Sequence, residues 1–309
     1  MAELGADDLR AWLDLGGGEE FADLLQRFEA AHLSYRELDF DRHNAAVLQV
    51  LLELDRDQFA RSGPQRQNVW EMAWEERLEA FARSGDLSQL TPVYFSANSL
   101  IRLRGRFIQP ARASFQQEFS ALYREGLFRK YFQAVEHVFE FGAGSGYNLI
   151  QLHQLFPHLS LHGLDWSEAA VQLIENLGRA GRPLSGRRFD FFAPDPSLEL
   201  PPGSTVLTMC ALEQIGSSFE PFLAFLMSRR PALVVHMEPL LELYRGDDLL
   251  DYLGQRYHLQ RNYLQGYLPE IQQLAKQGRV EILHIQKVPF GNHYHDGYST
   301  LVWRPIESH

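Results

Sequence analysis

Residues 138–149 read VFEFGAGSGYNL, an apolar run with one acid followed by three glycines at alternate positions. Glycines in a turn between strand and helix let the backbone pass close to a ligand and aim its N–H groups at it. A dinucleotide loop needs glycines at positions one, three and six. Here Gly142, Gly144 and Gly146 hold one, three and five, and Tyr147 holds six. A phosphate loop needs Gly-Lys-Ser/Thr, which the chain lacks. Glu140, two residues before the first glycine, would repel a pyrophosphate and suits a cationic group such as an amino acid ammonium. Further on, LHGLDWSE places Asp165 at a strand end, where a carboxylate accepts two hydrogen bonds from ribose hydroxyls. Trp166 beside it can lie against a base. Asp190 next to Phe191 offers an acceptor for an adenine amino group and an aromatic wall. The implied ligand is adenosine joined to a cationic amino acid.

A second set of residues could act on another molecule. TMCALEQIG puts Glu213 and Gln214 just beyond a strand, where ligands of parallel sheets bind. PALVVHMEP carries His236 and Glu238 two apart, on one face of a strand, a pairing suited to a general base. The turn GNHYHDGYS gathers His293, His295, Asp296 and Tyr298 as base or substrate contacts. Arg261, in a tyrosine-rich stretch, could hold an anionic group. Ordinary packing or capping is the competing account of each. The single cysteine, Cys210, reads as a buried strand residue and excludes both an internal disulfide and a cysteine-rich metal site. No metal is expected.

These residues need a scaffold. From His137 onward, short β-rich runs alternate with helical stretches: HVFEFG, LSLHGLD, RRFDFF, TVLTMCAL, PALVVHME, RVEILHIQKV and YSTLVWRP. Such alternation predicts a mainly parallel sheet with helices on both faces. The last two runs are joined only by PFGNHYHDG and should pair antiparallel. Ser167 is expected to cap the helix that follows Asp165. Residues 240–278 read as a helical insertion. Residues 1–135 read as mostly helical, with 91–110 extended or irregular and a break near Gly126.

Composition frames the partners. The 309 residues are 45% apolar and 22% charged, as in a soluble globular protein. The net charge of -11 disfavours a nucleic-acid partner. No run is long and apolar enough to span a membrane, and the first twenty residues have no signal-peptide pattern. A cytoplasmic location is the expectation.

From about His137 to Pro305 the chain resembles the class I S-adenosylmethionine-dependent methyltransferases. Glu140-Phe141-Gly142-Ala143-Gly144-Ser145-Gly146 is similar to that family's E/D-x-G-x-G-x-G motif. Asp165 and Asp190 correspond to its acids for ribose and adenine. The resemblance implies an α/β, Rossmann-like seven-stranded sheet of order 3-2-1-4-5-7-6, last strand antiparallel, preceded by a helical N-terminal region. It implies S-adenosyl-L-methionine as cofactor and methyl transfer to an oxygen or nitrogen of a small molecule such as a sugar, glycan precursor or secondary metabolite. A protein side chain as acceptor, or a non-catalytic partner role, stays open. A helical region ahead of such a domain also resembles small-molecule O-methyltransferases that dimerise through it, which makes a homodimer an expectation. On this reading residues 1–135 form a cap or dimerisation region and 136–309 the cofactor-binding domain. The candidate bases are Glu238, Glu213, His236 and His295. Gln214, His293, Tyr298 and Arg261 are candidate substrate contacts.

Overall fold

The computed structural model describes residues 1–91 and 100–306, so most of the irregular stretch 91–110 is included and 92–99 is not. The N-terminal part contains β1 (Ala2–Leu4), α1 (Ala6–Leu13), α2 (Ala22–Ala30), β2 (Leu33–Glu37), α3 (Phe40–Arg56), α4 (Gln67–Ser84), β3 (Ile101–Leu103), β4 (Arg106–Pro110) and α5 (Phe115–Phe132). There follow β5 (His137–Phe141), α6 (Tyr147–Leu155), β6 (Ser160–Asp165), α7 (Glu168–Arg179), β7 (Leu184–Arg188), β8 (Thr205–Met209), α8 (Glu220–Arg229) and β9 (Leu233–Met237). The insertion supplies α9 (Leu249–Arg261) and α10 (Tyr267–Lys276), and β10 (Val280–Gln286), β11 (Phe290–Gly291) and β12 (Thr300–Pro305) finish the fold.

Seven strands form a mixed sheet in the order β10-β12-β9-β8-β5-β6-β7. Counted along the chain within this sheet, that is 3-2-1-4-5-7-6 from the β7 edge. β12 runs antiparallel to both neighbours, and the pairings of β5 to β9 are parallel. With α6, α7 and α8 following β5, β6 and β8, this is a Rossmann-like α/β architecture. β5 and β8 are buried almost throughout, as central strands covered on both faces are, with Glu140 a buried acid within β5.

The N-terminal part has the expected helices but is not helical alone, and β3 and β4 fall in the stretch 91–110 read as extended or irregular. It holds a second, antiparallel sheet, β1-β2-β4-β3-β11. β3 and β4 are joined at Arg104 and Gly105, both at positive φ (52° and 71°), as a two-residue hairpin turn requires. Arg-Gly is a weak signal for that turn, and strands of three and five residues show little alternation. The fifth strand, β11, comes from the turn between β10 and β12 and ties the C-terminal hairpin to the N-terminal sheet. Gly126 is no break either: α5 is continuous, and a Cβ there would lie 2.3 Å from Leu13 Cδ1. The glycine admits a close helix crossing.

One hydrophobic core runs without interruption from Leu4 and Phe28 through Phe119 and Phe128 of α5 to Val138 and Leu207 of the large sheet. The opposite sheet face packs on α8 and α10 through Phe222, Leu226 and Ile271. α3 and α9 meet in a third cluster around Leu54, Phe107 and Tyr257.

The helix after Asp165 shows why its composition is constrained. Ser167 caps α7 by accepting from Ala170 N at 3.2 Å. Near its C-terminus, Gly178 packs so closely on β7 that a Cβ would stand 2.3 Å from the Leu184 carbonyl oxygen. Alanine would favour the helix by about 1 kcal/mol. Overpacking against backbone costs roughly 1–3 kcal/mol and wins. Gly178→Ala is therefore expected to lower the urea midpoint; an unchanged or raised midpoint would contradict this packing.

Candidate functional site

The C-terminal ends of β5, β6 and β8 converge on a cavity of about 80 Å³, lined by Gly142, Asp165, Trp166, Phe191, Ala211 and Gln214 among others. Gly142, Gly144 and Gly146 all take positive φ (75°, 51° and 73°), which only glycine adopts without strain. The turn is fixed from behind. Gly142 N and Ala143 N donate to Leu164 O at 2.7 and 3.0 Å. A Cβ on Gly142 would reach within 2.3 Å of the Ala211 Cβ, so the loop lies hard against the end of β8. Gly146 caps α6 and packs on Ile174 and Leu177, away from the cavity lining.

Asp165 ends β6. Its two oxygens accept from Gly144 N at 2.9 Å and Ser167 N at 3.0 Å. A carboxylate has about four acceptor positions, so two remain for a ligand. Burial raises its pKa to about 6, against these hydrogen bonds. Phe191 and Trp166 form cavity walls, whereas Asp190 turns one oxygen back to Phe192 N at 2.8 Å and shapes the loop.

Glu140 is completely buried in β5. Its Oε1 accepts from Asn148 Nδ2 at 2.6 Å, and Asn148 Oδ1 accepts from Arg124 Nη1 at 2.5 Å. Its Oε2 has no partner among the described residues. Burial pushes this carboxyl up to about 8, with Asn148 and Arg124 opposing the shift. A buried acceptor left unpaired is costly, and a cationic donor would satisfy it.

Two expected bases serve the scaffold instead. Glu238 is fully buried and accepts from three backbone amides, Ala211 and Leu212 on Oε1 and Glu213 on Oε2, each at 3.1 Å. It anchors the turn beyond β8 and is absent from the cavity lining. His236 has both ring nitrogens engaged, with Thr208 Oγ1 and Tyr267 OH at 2.8 Å each. Burial lowers its pKa to about 3. Strand spacing put both on the sheet but could not show which loops would close over them.

Glu213 and Gln214 differ from that pair. Gln214 lines the cavity, donates to Glu213 Oε1 at 2.8 Å and accepts from Ser62 Oγ at 2.8 Å. Glu213 is buried, and desolvation together with the Glu238 charge raises it to about 8. Cys210 borders the same cavity at φ 52°, a rare conformation for a residue with a Cβ, so the buried-strand reading is corrected.

The C-terminal turn is less open than expected. His295 is buried against His258, ring nitrogens 3.0 Å apart, and burial holds it well below its usual pKa. Tyr298 packs edge-on against Phe119, Tyr123 and Phe290. His293 lies 3.9 Å from Glu53 of α3 and is not among the residues that line this cavity. Half-buried Arg261 donates to Tyr263 OH at 3.2 Å. Reading the sequence missed Ser62, Trp70, Glu71 and Trp74, all brought to the site from the N-terminal part, and Asn148, in the first turn of α6 just after the glycine loop. Only Asn148, eight residues after Glu140, carried a local signal.

No family model and no curated protein matches the chain. Solved structures are similar to it at low identity. TnmH is 21% identical, with a TM-score of 0.41 over 62% of this chain and 60% of that one. An S-adenosylmethionine-dependent methyltransferase from Aquifex aeolicus is 13% identical, with a TM-score of 0.40 over 59% of this chain and 89% of that one. The N-methyltransferase NodS from Bradyrhizobium japonicum is 11% identical, with a TM-score of 0.44 over 62% and 87%. The chain thus spans three fifths of TnmH. Among the described residues, no helix is long and apolar enough to cross a membrane.

The raised carboxyl pKa values set a sign for stability. Between an unfolded value near 4.5 and a folded value near 8, the folded state keeps the Glu140 proton that the unfolded state has released. Stability therefore falls as pH rises through that window. His236 and His258, lowered to about 3, act only below pH 6.5, where their contribution rises with pH. The melting temperature of the ligand-free protein should drop from pH 6.5 to 8.5, and Glu140→Gln should flatten that slope. An identical slope in the variant would show that Glu140 ionises freely.

Proposed function

We propose that the chain is an S-adenosylmethionine-dependent methyltransferase acting on an oxygen or nitrogen of a small molecule. The observation that carries this reading is the buried, unpaired Glu140 Oε2 beside a glycine loop whose cavity ends in the Asp165 carboxylate. A cavity with an acid at the ribose position and an unsatisfied acceptor deep in the adjoining strand suits a nucleoside carrying a cationic amino acid. It disfavours a pyrophosphate. The residues present fit that group: Asp165 to hold ribose hydroxyls, Trp166 and Phe191 to flank the base, the 142–146 loop to pass beside the amino acid, and Glu140 to meet its ammonium.

When bound, the cofactor supplies an electrophilic methyl on a sulfonium. The chain's own residues then need only align the acceptor, exclude water and take a proton where the acceptor carries one. Gln214 stands where an acceptor would enter. Glu213, bonded to Gln214 and raised to about 8, remains the candidate general base, because Glu238 and His236 have their acceptor atoms committed elsewhere. Residues 136–309 carry the cofactor groups, and residues 1–135 act as a cap.

Titration with S-adenosylhomocysteine tests the central claim. Micromolar binding is expected, with Asp165→Ala weakening it at least tenfold through loss of two charge-assisted hydrogen bonds. Absence of binding, or an unaltered affinity in that variant, would overturn the reading. Once an acceptor is in hand, turnover should rise with pH along an apparent pKa near 8 and lose that limb in Glu213→Gln. A profile unmoved by the substitution would remove Glu213 as base.

A further inference from the structure

α4 has an unusual place in the molecule. None of its side chains is fully buried, yet it lies directly over the cavity. Trp70 and Trp74 stack on each other, 6.1 Å between centroids, and both line the cavity. Trp74 presses on the glycine loop: its Cζ2 and Cη2 lie 2.6 and 2.8 Å from where a Cβ on Gly144 would stand. Trp70 Nε1 is a buried donor without an acceptor among the described residues. A polar latch holds the helix to α7 beside these rings. Glu71 accepts from Glu168 N at 2.9 Å and Ala169 N at 3.0 Å, the first amides of α7, next to Asp165.

Both ends of α4 are jointed next to fixed points. Ser62 is buried and tied to the acceptor side: its N donates to Arg261 O at 2.7 Å, its Oγ to Gln214, and its carbonyl accepts from Asn262 Nδ2 at 3.0 Å. The next residue, Gly63, takes φ 140°. At the other end Gly85 takes φ 65°, and Leu90 beyond it is pinned by Ser145 Oγ, which donates to Leu90 O at 2.7 Å. Two glycines thus flank a helix whose surroundings are anchored on either side.

The cavity under this helix, about 80 Å³, is too small for a nucleoside ligand; pockets for molecules of that size run roughly 300–1,000 Å³. Resting on the methyltransferase reading, we propose that α4 completes the cofactor site as a hinged cover. It swings out about Gly63 and Gly85 to admit the cofactor, then settles on it further from the glycine loop than in the closed state, with Trp70 and Trp74 against it and the Trp70 N–H donating to it. Glu71 is the latch of the closed state. Because Ser62 is held by Gln214 and the Arg261 carbonyl, the pivot of the cover stands on the acceptor side of the site.

Hydrogen exchange on the full chain tests this without a ligand. The amides of residues 67–84 should exchange together and faster than those of α5, and Glu71→Gln should speed them on the order of tenfold, as loss of a charge-assisted contact implies. S-adenosylhomocysteine should slow them, and stopped-flow association should be severalfold faster in Glu71→Gln than in the wild type. Trp70→Phe, which keeps the ring and removes the donor, should weaken binding severalfold. If α4 exchanges no faster than α5 and Glu71→Gln changes nothing, the cover is overturned. Binding of S-adenosylhomocysteine with neither α4 protection nor an altered association rate overturns the cover alone. Failure to bind the wild type, Glu71→Gln and Trp70→Phe alike overturns the methyltransferase reading and the cover's assignment to this cofactor with it.

Discussion

Four carboxyls, Glu140, Asp165, Glu213 and Glu238, are buried at the ends of neighbouring strands, and burial raises every one of them. A carboxylate out of water persists only where donors replace its hydration. The surrounding structure can be read as the set of answers to that demand. Backbone amides answer for Glu238 and Asp165, and side-chain amides for Glu140 and Glu213. The answers grade from complete to partial. Glu238, with three donors, is spent on shape, whereas Glu140 keeps one oxygen unanswered. Reactivity and recognition are to be sought at the incomplete end of that series.

A second buried network joins the parts that frame the site. Arg102 of β3 donates to Tyr294 O at 2.9 Å and lies within 3.6 Å of Asp251 of α9 and Asp296 of the C-terminal turn. Lys287 reaches both acids as well, at 2.5 and 3.2 Å. Two cations balance two anions, with Tyr244 beneath both. Removing one partner from such a set leaves an uncompensated buried charge. The network therefore fixes the insertion against the N-terminal sheet, and with it Arg261 and the pivot at Ser62.

Much of this was legible in the residues. The strand runs after His137, the glycine spacing, Asp165 at its strand end and the Ser167 cap are local features, and local chemistry decides them. What could not be read depends on contacts between distant parts of the chain. His236 and Glu238 were well placed along a strand, but the tyrosine of α10 and the turn after β8 that occupy them lie about thirty residues away. Trp70 and Trp74 had the spacing of ordinary helix packing, and nothing nearby told that their helix would face a cavity. β3 and β4 lie in the stretch 91–110 read as extended or irregular but were too short to show how they pair, and β11, at two residues, has no pattern at all.

That two-residue strand has a consequence for how the protein is made. β3 pairs on one side with β4 and on the other only with β11. During synthesis its outer edge waits for residues 290 and 291, almost two hundred positions downstream. At roughly 5–20 residues per second, that is about 10–40 seconds in which the nascent sheet presents an open edge. The early sheet must either stay unformed for that interval or be shielded by other factors, since an unpaired edge invites pairing with a second chain. A segment made almost two hundred residues later thus seals the first sheet.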